Sequence, residues 1–154
     1  HSNWADFTGH TGDNEEQRYS NTWCHGAPGI ALARIGMLPL LNDKKILAEL
    51  KVALSTALTQ ELRSLDHLCC GNFGLVEIGL CAVEKVKEKK HSNQIKSLIK
   101  KTIDRSIADG HYKLFVDIPS GNFNPGFFRG LSGIGYQYLR LAYPKKLPTV
   151  LLWE

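Results

Sequence analysis

Trp23-Cys24-His25-Gly26-Ala27-Pro28-Gly29-Ile30 decides how the rest of the chain is read, because its Gly-x-x-Gly step and its cysteine both return later. The second copy is Leu68-Cys69-Cys70-Gly71-Asn72-Phe73-Gly74-Leu75. The third, without cysteine, is Phe128-Arg129-Gly130-Leu131-Ser132-Gly133-Ile134-Gly135-Tyr136. A recurring turn at the mouth of successive apolar segments is the signature of repeated supersecondary units that bury their faces against one another. Glycines there let the backbone turn sharply and let helices approach closely.

Each turn opens an apolar helix. Pro28 to Leu38 is apolar nearly all round, with Pro28 suited to a first helical turn, and reads as a buried inner helix. After Pro39, Asn42-Asp43 can cap a second helix whose Ile46, Leu47, Leu50, Leu54, Ala57, Leu58 and Leu62 form one stripe, an amphipathic outer helix. The pair repeats: Gly74 to Val86 is mostly apolar, and Ser92 can cap an amphipathic partner running through Ile95, Leu98, Ile99, Ile103 and Ile107 to Gly110. Residues 111 to 127 read as loop from their Pro, Gly and Asn content, and a third inner helix runs from about Gly130 to Ala142 until Pro144 stops it. The alternation predicts an all-α fold, a partial α/α toroid of inner and outer helix pairs.

Residues 1 to 22 show no period, and Gly9-His10-Thr11-Gly12-Asp13 is turn chemistry, so this segment is expected to wrap over the helical body of 23–154. Trp4, Phe7 and Trp23 are the aromatic anchors expected to pin it. At 154 residues, 43% hydrophobic and 22% charged, the chain holds one domain with a real core and is no disordered tail. Its net charge of +4 is mild. The Lys85 to Lys90 run follows an apolar helix and reads as a solvated helix end favoured by the helix dipole, not a nucleic-acid patch. No apolar stretch approaches the roughly 20 residues that span a bilayer, and His1-Ser2-Asn3-Trp4 has no signal-peptide features. These features predict a soluble, cytoplasmic protein, and a first residue other than Met predicts a piece of something longer.

Cys24 precedes the first inner helix and Cys69-Cys70 the second, so the two turns are expected to bring three thiols to one end of the repeat. Three soft ligands in one place suit Zn2+ with its fourth tetrahedral position open, and an open position implies catalysis rather than scaffolding. Cys81, among Leu80, Ala82 and Val83, reads as core. His25, beside one proposed ligand, is open to three readings: a ligand, an acid or base, or a hydrogen-bonding wall residue. His10, His67, His91 and His111 show no partner spacing. Glu77 and Arg34, polar residues on apolar inner helices, either face a cavity or form buried ion pairs.

These motifs together resemble the lanthionine synthetase C-like family from about Asn3 to the end of the chain. The likeness is greatest to the C-terminal cyclase domain of bifunctional class II lanthipeptide synthetases, in which Asn3-Trp4-Ala5-Asp6 also has a counterpart. The resemblance implies that Cys24, Cys69 and Cys70 bind zinc, as in the three-cysteine branch. It also implies thioether ring formation: a cysteine of a dehydrated precursor peptide occupies the open zinc position, loses its proton and adds to dehydroalanine or dehydrobutyrine. The resulting enolate needs a proton, and His25 is the local candidate. Family cyclases form a complete ring with more hairpins. The acid/base His and the Asp of their earlier repeats have no position here, and Arg18 lies further from Cys24 than the family's arginine does. The chain is therefore expected to be the C-terminal portion of a cyclase domain, partnered by the missing N-terminal part and its dehydratase. The alternative is a truncated remnant that binds zinc and peptide without catalysis; an all-α scaffold with incidental cysteines comes third.

Overall fold

The structure, a computed structural model, describes residues 3–8, 18–41, 43–58, 61–116 and 123–153. The expected turns at 9–13 and 119–122 and the capping Asn42 lie outside the described residues. Five α-helices account for the regular structure, and the described residues hold no β-strand, only two isolated bridges. The fold is all-α. In chain order the helices are α1 (Ala27–Met37), α2 (Lys44–Leu58), α3 (Asn72–Cys81), α4 (Ser92–Asp109) and α5 (Leu131–Ala142). A π-helical turn, Ala82–Val86, prolongs α3, and a 3-10 turn, Val150–Leu152, ends the chain's described part.

The helices pair as the hydrophobic periods dictate. α2 packs chiefly on α1 and α4 on α3, while α3 also touches α1 and α5. Helix α3 is apolar all round and has nearly every residue buried, from Asn72 through Gly79 and again at Cys81. It is the inner helix most fully enclosed. Helix α1 is less enclosed than its composition implies, since Ala33 and Gly36 face solvent. The larger core joins Leu32 and Ile35 of α1, Leu50 and Leu54 of α2, and Ile78 of α3 with Ile95 of α4. A smaller one gathers Leu68, Phe73, Leu114 and Ile134.

Local chemistry sets the ends. Asp43 Oδ1 accepts the Lys45 N–H at 2.6 Å, the expected cap of α2. The described part of α2 runs to Leu58, and Leu62, beyond it, still packs half-buried against the core. Ser92 is the first helical residue of α4 rather than its cap, since His91 occupies the N-cap and no side chain bonds there. Gly110 closes α4 in the left-handed region at φ 73°, and Lys87 ends the π-helical turn at φ 61°. Lys85, Lys87, Lys89 and Lys90 are exposed around that end, as a solvated helix terminus requires.

The three Gly-x-x-Gly turns share one geometry. A Cβ on Gly29, Gly74 or Gly133 would lie 2.2, 2.2 or 1.9 Å from the carbonyl oxygen of Trp23, Leu68 or Phe127, each six residues earlier. No side chain fits at those distances, so each glycine lets the first turn of an inner helix rest on the preceding loop. The loops are bonded in turn to one another: the Trp23 N–H donates to Cys69 O at 3.3 Å, and the Cys69 N–H to Phe128 O at 2.9 Å. The amino ends of α1, α3 and α5 therefore lie side by side.

The N-terminal segment folds over these ends. Asn3 Oδ1 accepts the Ala27 N–H at 2.8 Å, capping α1 from a distance, while Asn3 Nδ2 donates to Ser20 O at 2.9 Å. Trp4 and Trp23 pack against the larger core, whereas Phe7 is 70% exposed. Glu77 pairs with Arg140 of α5 at 3.1 Å, and Arg34 with Glu49 of α2 at 2.6 Å, so both polar residues of the inner helices form helix-to-helix ion pairs.

Candidate metal centre

The side-by-side helix ends bring Cys24, Cys69 and Cys70 into one cluster. Their sulfurs are 3.1 Å (Cys69–Cys70), 3.5 Å (Cys24–Cys70) and 3.8 Å (Cys24–Cys69) apart. Among the described residues it is the group of three His, Cys, Asp or Glu side chains positioned to hold a metal ion. A tetrahedral zinc with sulfurs about 2.3 Å away separates them by roughly 3.8 Å, so the donor set fits the ion in chemistry and Cys69 and Cys70 need only spread slightly to hold it. Cys24 is exposed and the other two half-buried, which leaves one side open for a further ligand. Cys81 is buried far along α3, with its thiol directed to Glu77 Oε1 and Thr149 Oγ1. Burial raises its pKa, consistent with the core reading.

Charge within the cluster is uneven. The Cys70 thiol is held at about 5, first by a hydrogen bond from Cys69, then by one from Cys24 and by the nearby cations Arg129 and Arg63. Cys69 is pushed upward, chiefly by its hydrogen bond to Cys70 and by burial. Without a metal, negative charge in the cluster thus settles on Cys70 rather than Cys69. The adjacent amino ends of α1 and α3 favour that negative charge.

A second layer fixes the cysteine turns. His67, 2% exposed, accepts the Cys70 N–H on Nδ1 at 3.3 Å, and burial together with Arg129 lowers its pKa. Fully buried Asp66 accepts from Asn72 Nδ2 at 2.8 Å, Arg105 Nη2 at 2.6 Å and the Lys113 N–H at 2.8 Å. Arg63 Nη1 donates to Cys70 O at 3.2 Å. On the other flank the Trp23 and Phe128 rings stack at 5.5 Å and 4°.

The family model for lanthionine synthetase C-like proteins matches residues 1–152. The chain belongs to the lanthionine synthetase C-like family. A search among curated proteins finds no match. No helix among the described residues is long and apolar enough to cross a membrane.

His25 lies beside the cluster, 40% exposed, with Nδ1 3.4 Å from Asp6 Oδ1. Asp6 is held well below the usual carboxylate range by hydrogen bonds from Ser20 Oγ at 2.6 Å and from Thr8. The His25 backbone is locked both ways to Thr22. Sequence reasoning singled out His25 but missed Asp6, His67, Asp66, Arg63 and Arg129. A signal existed for two of them: Asp66-His67 immediately precedes the cysteine turn, where a second layer of hydrogen bonds belongs. Asp6 and Arg129 reach the site only through the fold. Arg18 contributes its backbone, accepting the Asp6 N–H at 2.8 Å.

Proposed function

We propose that this chain is the zinc-bearing, C-terminal portion of a lanthipeptide cyclase of the class II, three-cysteine kind, with its helix pairs forming part of an α/α toroid. The observation that carries the reading is the meeting of three sulfurs from two separate turns, on one open face, in a chain of this family. Cys24, Cys69 and Cys70 would hold the metal. Bound zinc supplies a Lewis acid that makes a peptide thiol ionise at neutral pH.

The remaining work falls to the chain's own groups. Three thiolates holding a zinc ion would give the centre a net negative charge favouring a nucleophilic substrate sulfur, and Arg63 and Arg129, the cations nearest Cys70, would limit it. When that sulfur adds to the β-carbon of a dehydroamino acid, the electron pair of the double bond moves toward the carbonyl and the α-carbon then takes a proton. In this reading His25 gives that proton, with Asp6 Oδ1, 3.4 Å from its Nδ1, orienting the imidazole. Peptides that are dehydrated and contain cysteine are the substrates of this reading, and the earlier repeats of the cyclase complete the site.

The test begins with zinc per chain in reduced protein. One equivalent, lost in Cys24→Ala and in Cys70→Ala, is the expected result; none would sink the reading. With the earlier repeats supplied, a dehydrated peptide should lose its free thiol without change of mass, and His25→Asn should slow this by about 10²–10⁴-fold while keeping its zinc. Zinc and peptide binding without thiol consumption would favour the non-catalytic remnant instead.

A further inference from the structure

Beside the sulfur cluster, a cleft of about 500 Å³ runs between α1 and the C-terminal 3-10 turn. Cys24 lines it, so cleft and cluster share a wall. Its floor is built small: Ala33 and Gly36 of α1 are exposed there, and a Cβ on Gly36 would sit at an ordinary 3.5 Å from Leu152 Cδ2. Nothing in the packing of α1 demands that glycine, yet a larger residue would fill the cleft.

The opposite wall is aromatic and pinned. Trp23 Nε1 donates to Leu151 O at 3.3 Å, tying the C-terminal turn to the residue next to Cys24. Trp153 is 76% exposed yet its ring lies 5.9 Å from that of Trp23 and 6.0 Å from that of Phe128. An indole held on a built turn while presenting most of its surface to water is a surface for apolar contact.

We propose that this cleft is a specificity subsite that takes a large apolar side chain, aromatic or branched aliphatic, flanking the peptide cysteine at the cluster. The inference rests on the cyclase reading of the sulfur cluster and adds to it the sequence preference of the substrate. Continuity argues for this occupant: neighbouring Cα atoms of a peptide are 3.8 Å apart, so a chain whose cysteine reaches the sulfurs must lay a flanking side chain against the wall that Cys24 shares. Apart from Cys24 the lining is Trp, Leu, Ile, Ala and Gly, so a charged flanking side chain would find no charged partner there.

The experiment is calorimetric binding of synthetic peptides to zinc-loaded full chain. Gly-Phe-Cys-Phe-Gly is compared with Gly-Ser-Cys-Ser-Gly, so that either chain direction is covered, and Gly-Phe-Ala-Phe-Gly tests the cysteine. The Phe peptide is expected to bind about tenfold tighter than the Ser peptide, a modest yield for burying one aromatic ring. Gly36→Leu, which fills the floor, and Trp153→Ala, which removes an exposed wall, should each cut that preference below threefold, leaving zinc content and the Ser peptide's affinity unchanged. A preference below threefold in the unmodified chain, or one that persists in both variants, overturns the subsite while the cyclase reading stands. Binding that ignores the cysteine overturns the subsite, whereas the cyclase reading falls only if the reduced chain holds no zinc. A dimer in sedimentation that Gly36→Leu breaks apart would assign the cleft to a second copy and overturn the proposal.

Discussion

Two groups of polar side chains are organised around α3, and they differ in whether they are sealed from solvent. Along the helix, Glu77 accepts from Gln137 Nε2 at 2.6 Å and from Arg140 Nη2 at 3.1 Å, and Arg140 also donates to Pro144 O, Leu147 O, Glu84 and Thr149. Both charged side chains are almost wholly buried. Before the first turn, the three cysteines bond mainly to one another and keep a face to solvent. The first group is enclosed by protein and ties α3 to α5, although Gln137 Oε1 is left without a partner. The second is held rigidly from behind and left open in front, which is the arrangement of a site that takes a ligand.

The sharpest way to break this contrast is Arg140→Met. It leaves buried Glu77 without its one ion-pair partner on α5, in a place where burial already pushes its carboxyl upward. The expected loss is about 3–5 kcal/mol. A melting temperature on the order of 10 °C lower would follow, and an unchanged melt would mean that the closed group is not a tie between α3 and α5.

Metal removal comes next. Zinc at a hundredfold excess over its dissociation constant adds about 2.7 kcal/mol to a fold that binds it. A chelator should therefore lower the melting temperature of the unmodified chain and leave Cys24→Ala where it was. Without metal the two proteins should agree within about 0.5 kcal/mol, because Cys24 is exposed and packs little. Equal chelator sensitivity in both would break the contrast from the other side.

A smaller effect sharpens it within the open group. In metal-free protein at pH 7, Cys70, held at about 5, is thiolate, whereas Cys69 is pushed up and stays protonated. Haloacetamide labelling followed by peptide mapping should find Cys70 modified at least about tenfold faster than Cys69. Acidification returns the proton to Cys70, so its rate should fall to half near pH 5. Phe7→Ala should have the least effect of all, within about 0.5 kcal/mol by thermal melting, since Phe7 lies largely in solvent.

Much of the candidate site was legible because its grammar is local. A cysteine beside a Gly-x-x-Gly step can be read wherever it occurs, and two such copies suffice to suggest that their thiols meet. The second layer was not legible, because its members are distant in the chain and ordinary in type. Asp6 resembles any loop aspartate until the N-terminal segment folds back over Ser20, and Arg129 resembles a surface cation until the third turn bonds to Cys69. Glu77 was recognised as anomalous on an apolar helix, but its partner, fifteen or more helical turns of sequence later at Arg140, carried no mark of its own.

The sequence by itself determined the helices, their alternation of apolar and amphipathic character, and the glycine turns, since each follows from the spacing of residues within one or two turns of chain. It also determined the chemical type of the site, because only thiols at those turns offer soft ligands. Tertiary structure alone decided that the three turns bond rung to rung, that His25 meets Asp6, and that α1 keeps Ala33 and Gly36 bare beside the sulfurs. Those features depend on which distant surfaces are buried against each other, and burial is a property of the whole packing, which no local pattern encodes.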